Sequence, residues 1–194
     1  MAVTNVKRCQ WVSKYRETDI MVAYHDQEWG HPLRDDDRLL FELLTLEIFQ
    51  AGLSWEISLK KRPGLKSVFY DFNIEKVSHM GESEVQKLKE NPNIIRNRMK
   101  ISATITNANA IQNVKNEFGS FSKYMWHFTD NRVIDHHVVA YQDVVNQNEL
   151  SQTISKDMKK RGFKFTGPVT IYSYLQAMGV INDHEMTCNW KYHD

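Results

Sequence analysis

Glu47 is the acidic residue whose position in this sequence points most directly to chemistry. It lies seven residues after Leu40, in a segment where leucines recur at the spacing of one helix face. A carboxylate on a buried face is rare, because removing a charge from water costs several kcal/mol. Glu47 is therefore a candidate site residue. The structural alternative is a glutamate whose charge is satisfied by a capping amide or a buried arginine.

Aromatic residues are concentrated in the same third of the chain. Trp11, Tyr24, Trp29 and Trp55 all occur there, and Trp55 closes the phrase QAGLSW just after Glu47. Aromatic rings around one carboxylate would suit a flat, positively charged ligand, since the rings supply stacking and cation–π attraction. Each ring taken singly is also compatible with an ordinary place in the hydrophobic core.

Two cysteines and two histidines near opposite ends of the chain could form a metal site. Cys9 and His25 lie near the start, whereas His184 and Cys188 lie near the end and are four residues apart. That spacing puts both side chains on one face of a helical turn. Two thiolates and two imidazoles suit tetrahedral zinc, and four protein ligands make the site structural. Two free buried thiols are the alternative.

Helix is the dominant pattern that must position these residues, and the predicted class is all-α. We expect the Glu47 helix to run from Arg38 to Ala51, capped by an aspartate at 35, 36 or 37. The helical pattern is expected to be interrupted at Pro63 and Gly64. Further helices are predicted over residues 64–72, 82–90, from about Ile94 onward, over 151–160, and from near Pro168 to Gly179, with a connecting region over 130–148.

Composition allows one folded domain over residues 1–194, or two closely joined lobes. Hydrophobic residues make up 41% of the 194, enough for a core, and the net charge is only +1. A nucleic-acid-binding protein of this charge would need local basic patches. We see neither an apolar run that could span a bilayer nor a signal peptide, and we expect a cytoplasmic protein without an obligate protein partner.

Several long phrases resemble the bacterial family of 3-methyladenine DNA glycosylase I, and they cover nearly the whole chain. The phrases are RCQW (8–11), AYHDQEWG (23–30), LFELLTLE (40–47), QAGLSW (50–55), NIIRNRMKI (93–101), KKRGFKFTGPVTIYSYLQAMG (159–179) and NDHEMTC (182–188). The resemblance implies an all-α helix-hairpin-helix glycosylase fold. It also implies release of 3-methyladenine from alkylated double-stranded DNA, with zinc joining the N- and C-terminal segments into one lobe.

The resemblance also implies a role for each candidate residue. Cys9, His25, His184 and Cys188 match the family's zinc ligands, and Glu47 matches its base-recognising and catalytic glutamate. Tyr24, Trp55, Trp11 and Trp29 match residues of its base pocket. Three positions depart from the family pattern, and we expect them to reshape one pocket wall: Met21, Ile48 and Phe49.

DNA backbone contacts have two candidate sources. Asn93 and Ile94 lie between two predicted helices, where backbone N–H groups at a helix start can bind a phosphate. Lys160 and Arg161 belong to a basic phrase that could add phosphate contacts. For most of these lysines the alternative is a solvated helix end.

Two other functions remain compatible with these residues. One is a zinc-stabilised module that binds damaged bases or DNA without cleaving them, which the changes at Met21, Ile48 and Phe49 would favour. The other is a metal-dependent hydrolase that uses the Cys/His set, although a complete four-ligand shell argues against it.

Overall fold

A computed structural model describes residues 6–192, and the fold is mostly helical, as the sequence predicts. Nine α-helices follow one another in the described part of the chain. They are α1 (Ile20–Gln27), α2 (Asp37–Gln50), α3 (Trp55–Val68), α4 (Ile74–Ser78), α5 (Glu82–Lys89), α6 (Arg98–Phe118), α7 (Phe121–Trp126), α8 (Glu149–Lys160) and α9 (Pro168–Ala177).

Helix α2 forms the middle of the core and carries the candidate glutamate. It begins after Asp36, whose side chain accepts a hydrogen bond from the Leu39 amide at 2.8 Å and so caps the helix start. Ten consecutive residues, from Leu40 to Phe49, are buried. The prediction for this helix is therefore confirmed, and burial on all sides explains why Glu47 is removed from solvent.

The predicted break at Pro63 is wrong. Helix α3 runs through Pro63 and ends at Val68, because Leu59 and Leu65 on either side are both buried and packing outweighs one lost hydrogen bond. Gly64 is needed there, since a Cβ atom would come within 2.2 Å of the Asn93 carbonyl oxygen. The expected helix over residues 64–72 thus does not exist as a separate element.

Helix α6 begins four residues later than expected, at Arg98 rather than near Ile94. The Asn97 side chain accepts a hydrogen bond from the Lys100 amide at 3.2 Å and caps the helix. The expectations for residues 82–90, for 151–160 and for a last helix from Pro168 are confirmed.

The connecting region contains the strand pairing that the sequence pattern did not reveal. Strand β1 (Ile134–Asp135) pairs in parallel with β2 (Ile181–Asn182), with Ile134 opposite Ile181. A two-residue strand is too short to show alternation, so periodicity could not predict it. None of the helices between residues 6 and 192 is both long and apolar enough to span a membrane.

Two hydrophobic clusters organise the interior. The larger one gathers apolar residues of α2 to α9, and the smaller one joins the N-terminal segment, α1, Leu59 of α3 and Cys188. Trp55 packs against both clusters. The two ends of the chain meet beside the smaller cluster, where the Asn189 amide donates to the Lys7 carbonyl at 2.9 Å.

A buried ion-pair network joins α1, α2 and α3. Glu42 has a fully buried side chain, and it accepts hydrogen bonds from Arg62 at 2.6 Å and from Arg38 at 3.0 Å. Arg62 also contacts both oxygens of Glu28 at 2.8 Å. This network holds the end of α1, and with it the following residue Trp29, against the rest of the core.

Arg62→Met is expected to lower the free energy of unfolding by about 3–5 kcal/mol, because only Arg38 and the more distant Lys66 then balance the buried charge of Glu42. Urea unfolding of the purified protein measures the change. Lys66→Met is the matched control, since Lys66 Nζ lies 3.9 Å from Glu42 on an exposed side chain, and its loss should cost less than about 1 kcal/mol. Equal losses for the two variants would contradict this role of Arg62.

Candidate active site and metal centre

A cavity of about 850 Å³ lies between α1, α2, α3 and α9. Its lining includes the five candidate pocket residues that the sequence singled out, namely Glu47, Tyr24, Trp55, Trp11 and Trp29. They come from four separate segments, so the fold brings together what the sequence only suggested. A cavity of this size is typical of a small-ligand site.

Glu47 is buried in this cavity without a counter-charge. Its exposed fraction is 4%, and no hydrogen bond or ion pair to it exists within residues 6–192. Burial raises the pKa of Glu47 to about 8. Glu42, one turn and a residue earlier on the same helix, is equally buried but is neutralised by two arginines. The contrast distinguishes a structural carboxylate from one left available to a ligand.

Aromatic rings form the walls around this carboxylate. Tyr24 and Trp55 lie with their ring centroids 5.1 Å apart and tilted by 56°. Burial raises the pKa of Tyr24 well above its usual value, and the nearby Glu47 contributes to the shift, so the phenol stays protonated. The indole Nε1 atoms of Trp11 and Trp55 are buried and have no hydrogen-bond partner among the described residues. The cavity therefore offers π faces and a carboxyl group.

The four predicted metal ligands converge in the smaller hydrophobic cluster. Their ligand atoms lie within 4.8 Å of one another, and all four residues are buried. Cys9 Sγ is 3.3 Å and Cys188 Sγ is 3.4 Å from His184 Nδ1, and Cys188 Sγ is 3.6 Å from His25 Nε2. Bonds of the length that zinc makes would space tetrahedral ligand atoms roughly 3.3–3.8 Å apart, so the cluster fits a metal ion.

Outer contacts orient both imidazoles toward this cluster. His25 Nδ1 is 2.7 Å from Asp26 Oδ1, and Asp26 is in turn held by Arg8 at 2.9 Å. His184 Nε2 is 2.8 Å from the carbonyl oxygen of Trp29, which leaves Nδ1 for the sulfur atoms. A hydrogen bond at the ring nitrogen that does not bind the metal fixes the tautomer of a metal-binding histidine.

The protonation of the two thiols matches a cation site. The pKa of Cys188 is lowered, first by its hydrogen bond with Cys9 and then by those with His184 and His25. The pKa of Cys9 is raised by the same bond and by burial. A bound cation would favour the thiolate form of both cysteines.

His184 and Cys188 do not lie on a helix, contrary to the expectation from their spacing. Residues 186 and 187 form a turn, in which the Cys188 amide donates to the Glu185 carbonyl at 2.8 Å. The turn still brings the two side chains together. Gly30 lets the cluster close, since a Cβ atom there would come within 2.7 Å of the His184 ring and its φ is +75°.

The cluster of Cys9, His25, His184 and Cys188 shares two walls with the cavity. The Trp29 ring lies 4.5 Å from the His184 ring, and the Trp11 ring lies 5.4 Å from the His25 ring, centroid to centroid. Trp11 and Trp29 also contact each other edge to face at 5.3 Å. The same two indoles line the cavity, so the metal cluster positions one side of the candidate base pocket.

Of the three departures from the family pattern, only Met21 lies on the cavity wall. Ile48 and Phe49 are fully buried in the larger core cluster, where Phe49 packs on Phe69 at 6.4 Å. The expectation that these two residues reshape the pocket is wrong, because on the helix Ile48 points about 100° and Phe49 about 200° around the axis from Glu47.

The loop with Asn93 and Ile94 is poorly suited to phosphate. The Asn93 amide donates to the Asn91 side chain at 2.9 Å, and the Ile94 amide donates to the Asn91 carbonyl at 3.4 Å. The side chain of Ile94 is buried, and α6 does not begin until Arg98. Both amides are thus engaged inside the loop.

Lys160 and Arg161 stand at the connection between α8 and α9. Lys160 is exposed, whereas Arg161 is paired with Glu117 and Asp157, both at 2.6 Å. The connection, residues 161–167, is a short hairpin between two packed helices.

A further wall of the cavity escaped the sequence analysis. Tyr172 and Gln176 of α9 line it, and residues 141, 142 and 144–146 of the connecting region line it as well. Asp183 is buried and holds both α9 side chains, at 2.7 Å each. Tyr172 and Gln176 are four residues apart on one helix face, which is the only sequence signal that could have linked them.

Comparison with known proteins places this arrangement among base-excision enzymes. Residues 11–192 match the model of the family described as methyladenine glycosylase. DNA-3-methyladenine glycosylase 1 of Escherichia coli is 39% identical over 94% of this chain and 96% of its own length. The Haemophilus influenzae DNA-3-methyladenine glycosylase is 38% identical over 95% and 97%.

A solved structure shows the same similarity in three dimensions. A crystal structure of a 3-methyladenine DNA glycosylase I variant in complex with 3-methyladenine superimposes with a TM-score of 0.91. It is 35% identical and covers 96% of this chain and 98% of that one.

Glu47→Gln is expected to change stability in a pH-dependent way. Between the ordinary carboxyl pKa of 4.5 and the folded value of about 8, the folded protein keeps a proton that the unfolded chain releases. Wild-type stability therefore falls as pH rises through this window, and the glutamine variant avoids that loss. Its advantage should grow from pH 5 and level off above pH 8 at a few kcal/mol.

Urea unfolding of both proteins at intervals from pH 5 to 9 measures this difference. Glu75→Gln, at an exposed position, is the control and should run parallel to the wild type. A difference between Glu47→Gln and wild type that is independent of pH would contradict the raised pKa.

Proposed function

The chain belongs to the methyladenine glycosylase family, and on that basis we propose that it is a DNA-3-methyladenine glycosylase. It hydrolyses the N-glycosidic bond of 3-methyladenine in alkylated DNA and releases the free base. The observation that carries the proposal is Glu47, a buried carboxylate with a pKa of about 8, inside a cavity walled by Tyr24, Trp55, Trp11 and Trp29.

The chemistry follows from the charge of the damaged base. Methylation at N3 makes the adenine cationic while it is attached to the sugar, so the base can leave as a neutral molecule. Little general-acid help is then needed. Cleavage of the C1′–N9 bond leaves positive charge on the sugar, water adds to C1′, and one proton is released.

The protein's task is to extract and hold the cationic base. Extrusion from the duplex costs a few kcal/mol, which binding in the cavity must offset. Glu47 would accept hydrogen bonds from the amino edge of the purine, Trp55 would stack on its face, and Tyr24 would add a polar contact. A cation beside Glu47 favours the ionised carboxylate, so base and carboxylate stabilise each other's charge.

Selectivity against unmodified adenine follows from the same pairing. Adenine is neutral, so its amino edge can still donate a hydrogen bond, but it gains no charge–charge attraction to the carboxylate and much less from the aromatic faces. Met21 on the cavity wall is the residue we expect to tune which alkylated bases fit.

We propose that the metal ion held by Cys9, His25, His184 and Cys188 is zinc with a structural role. Bound zinc would supply four bonds between chain segments that are far apart in sequence. The protein's part is to present two sulfur and two nitrogen ligands, with Asp26 and the Trp29 carbonyl orienting the imidazoles.

For DNA backbone contact we propose the α8–α9 connection as the hairpin of a helix-hairpin-helix motif. Gly162 adopts a φ of +92°, and Gly167 precedes α9 without a side chain to cap it. The first N–H groups of α9 therefore need other partners, which a phosphate oxygen can provide. Exposed Lys160 would add charge, while Asn93 and Ile94 keep at most a supporting role.

One glycosylase domain over the whole chain, with the two ends forming a metal-bound lobe, fits the two hydrophobic clusters. A cytoplasmic location and action without an obligate protein partner stay predictions from the sequence.

Purified protein should release free 3-methyladenine from methylated duplex DNA, while releasing no measurable adenine from unmodified duplex. Glu47→Gln should slow release roughly ten- to hundredfold, as expected for loss of a charged hydrogen-bond acceptor. Chromatography of the released bases measures both, and circular dichroism checks the fold of the variant. Binding of methylated DNA without release of base would instead identify a non-catalytic binding module.

Metal analysis should find about one zinc per chain. Cys188→Ala should lose the metal and several kcal/mol of unfolding free energy, since metal binding is coupled to folding. Its affinity for free 3-methyladenine should fall less than its stability. Met186→Ala, an exposed position in the same turn, is the control and should keep the zinc. Carefully prepared protein without zinc would overturn the assignment.

A further inference from the structure

A buried lysine holds the loop at one edge of the cavity. Lys100 of α6 has an exposed fraction of 6%, and its Nζ donates to the carbonyl oxygens of Phe49 at 2.9 Å and Ala51 at 2.6 Å. These carbonyls end α2, where no further helix turn satisfies them. We call residues 51–54, which follow, the mouth loop.

The mouth loop lies where the cavity opens. Ser54 in the loop and Gln50 just before it line the cavity, and Leu53 is exposed to 40%. Gly52 has a φ of +82° with open space around it, so the loop stands clear of the protein surface. Lys100 is thus the group that fixes the base of a protruding loop.

A buried asparagine on the same helix holds the α8–α9 connection, residues 161–167, which we call the hairpin loop. Asn107 is 1% exposed and bonds Lys164 twice: its Oδ1 accepts from the Lys164 amide at 2.7 Å, and its Nδ2 donates to the Lys164 carbonyl at 3.1 Å. Both polar atoms of the side chain are used on one backbone residue. Val169, just beyond this loop, lines the cavity and is half-exposed.

Lys100 and Asn107, which we call the two clamps, lie on the same face of helix α6. Lys100 and Asn107 are seven residues apart, which is two helical turns and roughly 10 Å along the axis. Thr104 lies between them, is fully buried, and bonds only the Lys100 carbonyl of its own helix. Helix α6 therefore sets the distance between two loops that belong to distant parts of the sequence.

We propose that Lys100 and Asn107 are positioning residues that hold the mouth loop and the hairpin loop at the separation a damaged DNA strand requires. This inference rests on the proposed glycosylase function. Ser54 of the mouth loop and Val169, two residues beyond the hairpin loop, both line the cavity. A strand whose base enters that cavity would therefore carry its backbone close to both loops.

Substitutions that keep the volume of each side chain but remove its hydrogen bonds can distinguish a positioning role from simple packing. A methionine at 100 fills a similar volume but leaves two carbonyl groups without a donor, whereas an arginine keeps the donors. A leucine at 107 fills the space of asparagine but cannot bond the Lys164 backbone. Neither residue lines the cavity, so we expect the substitutions to affect free-base binding much less than duplex binding.

The test compares Lys100→Met, Asn107→Leu, Lys100→Arg and Thr104→Val with wild type. Dissociation constants are measured for free 3-methyladenine and for a duplex containing an abasic-site analogue. The first two variants should bind the duplex roughly tenfold more weakly, as for one or two lost buried hydrogen bonds. Their affinity for the free base should change by less than about twofold. Lys100→Arg should recover duplex binding, and Thr104→Val should match wild type.

Amide hydrogen exchange of residues 50–54 and 161–167 provides a readout that does not depend on the activity. Exchange should quicken in the mouth loop only for Lys100→Met and in the hairpin loop only for Asn107→Leu. If wild type released no 3-methyladenine, the proposed function would fail while this measurement still decided whether the clamps exist. Unchanged exchange, or an equal loss of free-base and duplex affinity, would overturn the inference.

Discussion

The structure depends on one buried carboxylate, that of Glu47. Removing its charge from water is unfavourable, and no cation among the described residues pairs with it. Residues 40–49 of helix α2 are buried and only 4% of Glu47 is exposed, and this desolvation raises the pKa of Glu47 to about 8. Glu42 on the same helix is a carboxylate with a structural role, and two arginines form ion pairs with it. Glu42 is paired with two arginines, whereas Glu47 has no counter-charge among the described residues, and the proposed role of Glu47 rests on this contrast.

The contact between the N-terminal and C-terminal segments of the chain determines the shape of that ligand site. Cys9 and His184 are 175 residues apart in the sequence, yet their ligand atoms lie 3.3 Å apart. The imidazoles of the cluster pack against Trp11 and Trp29, which also face the cavity. A metal ion in this cluster would therefore act on base recognition through the position of two indole rings, without taking part in the reaction.

Residue types and spacing were sufficient to predict the parts of the site that obey local rules. Glu47 stands out because helical periodicity puts an acid on an apolar face. Two cysteines and two histidines near the chain ends suggest a zinc site, and the family resemblance selects His25 and His184 among eight histidines. Long-range packing decided the rest. Buried leucines carry α3 through Pro63, and the bonds from Lys100 and Asn107 to distant backbone groups leave no trace in the sequence pattern. The pocket wall formed by α9 was missed for the same reason.

The most direct test of this account is the titration of the Glu47 side chain itself. Carbon-13 NMR of the labelled carboxyl carbon, assigned with the Glu47→Gln variant, should show a midpoint near pH 8 in the free protein. A duplex that carries a cationic alkylpurine should lower that midpoint, because a cation in the cavity stabilises the carboxylate. A free-protein midpoint near 4.5, unchanged by the ligand, would contradict the claim that a desolvated carboxylate recognises the charged base.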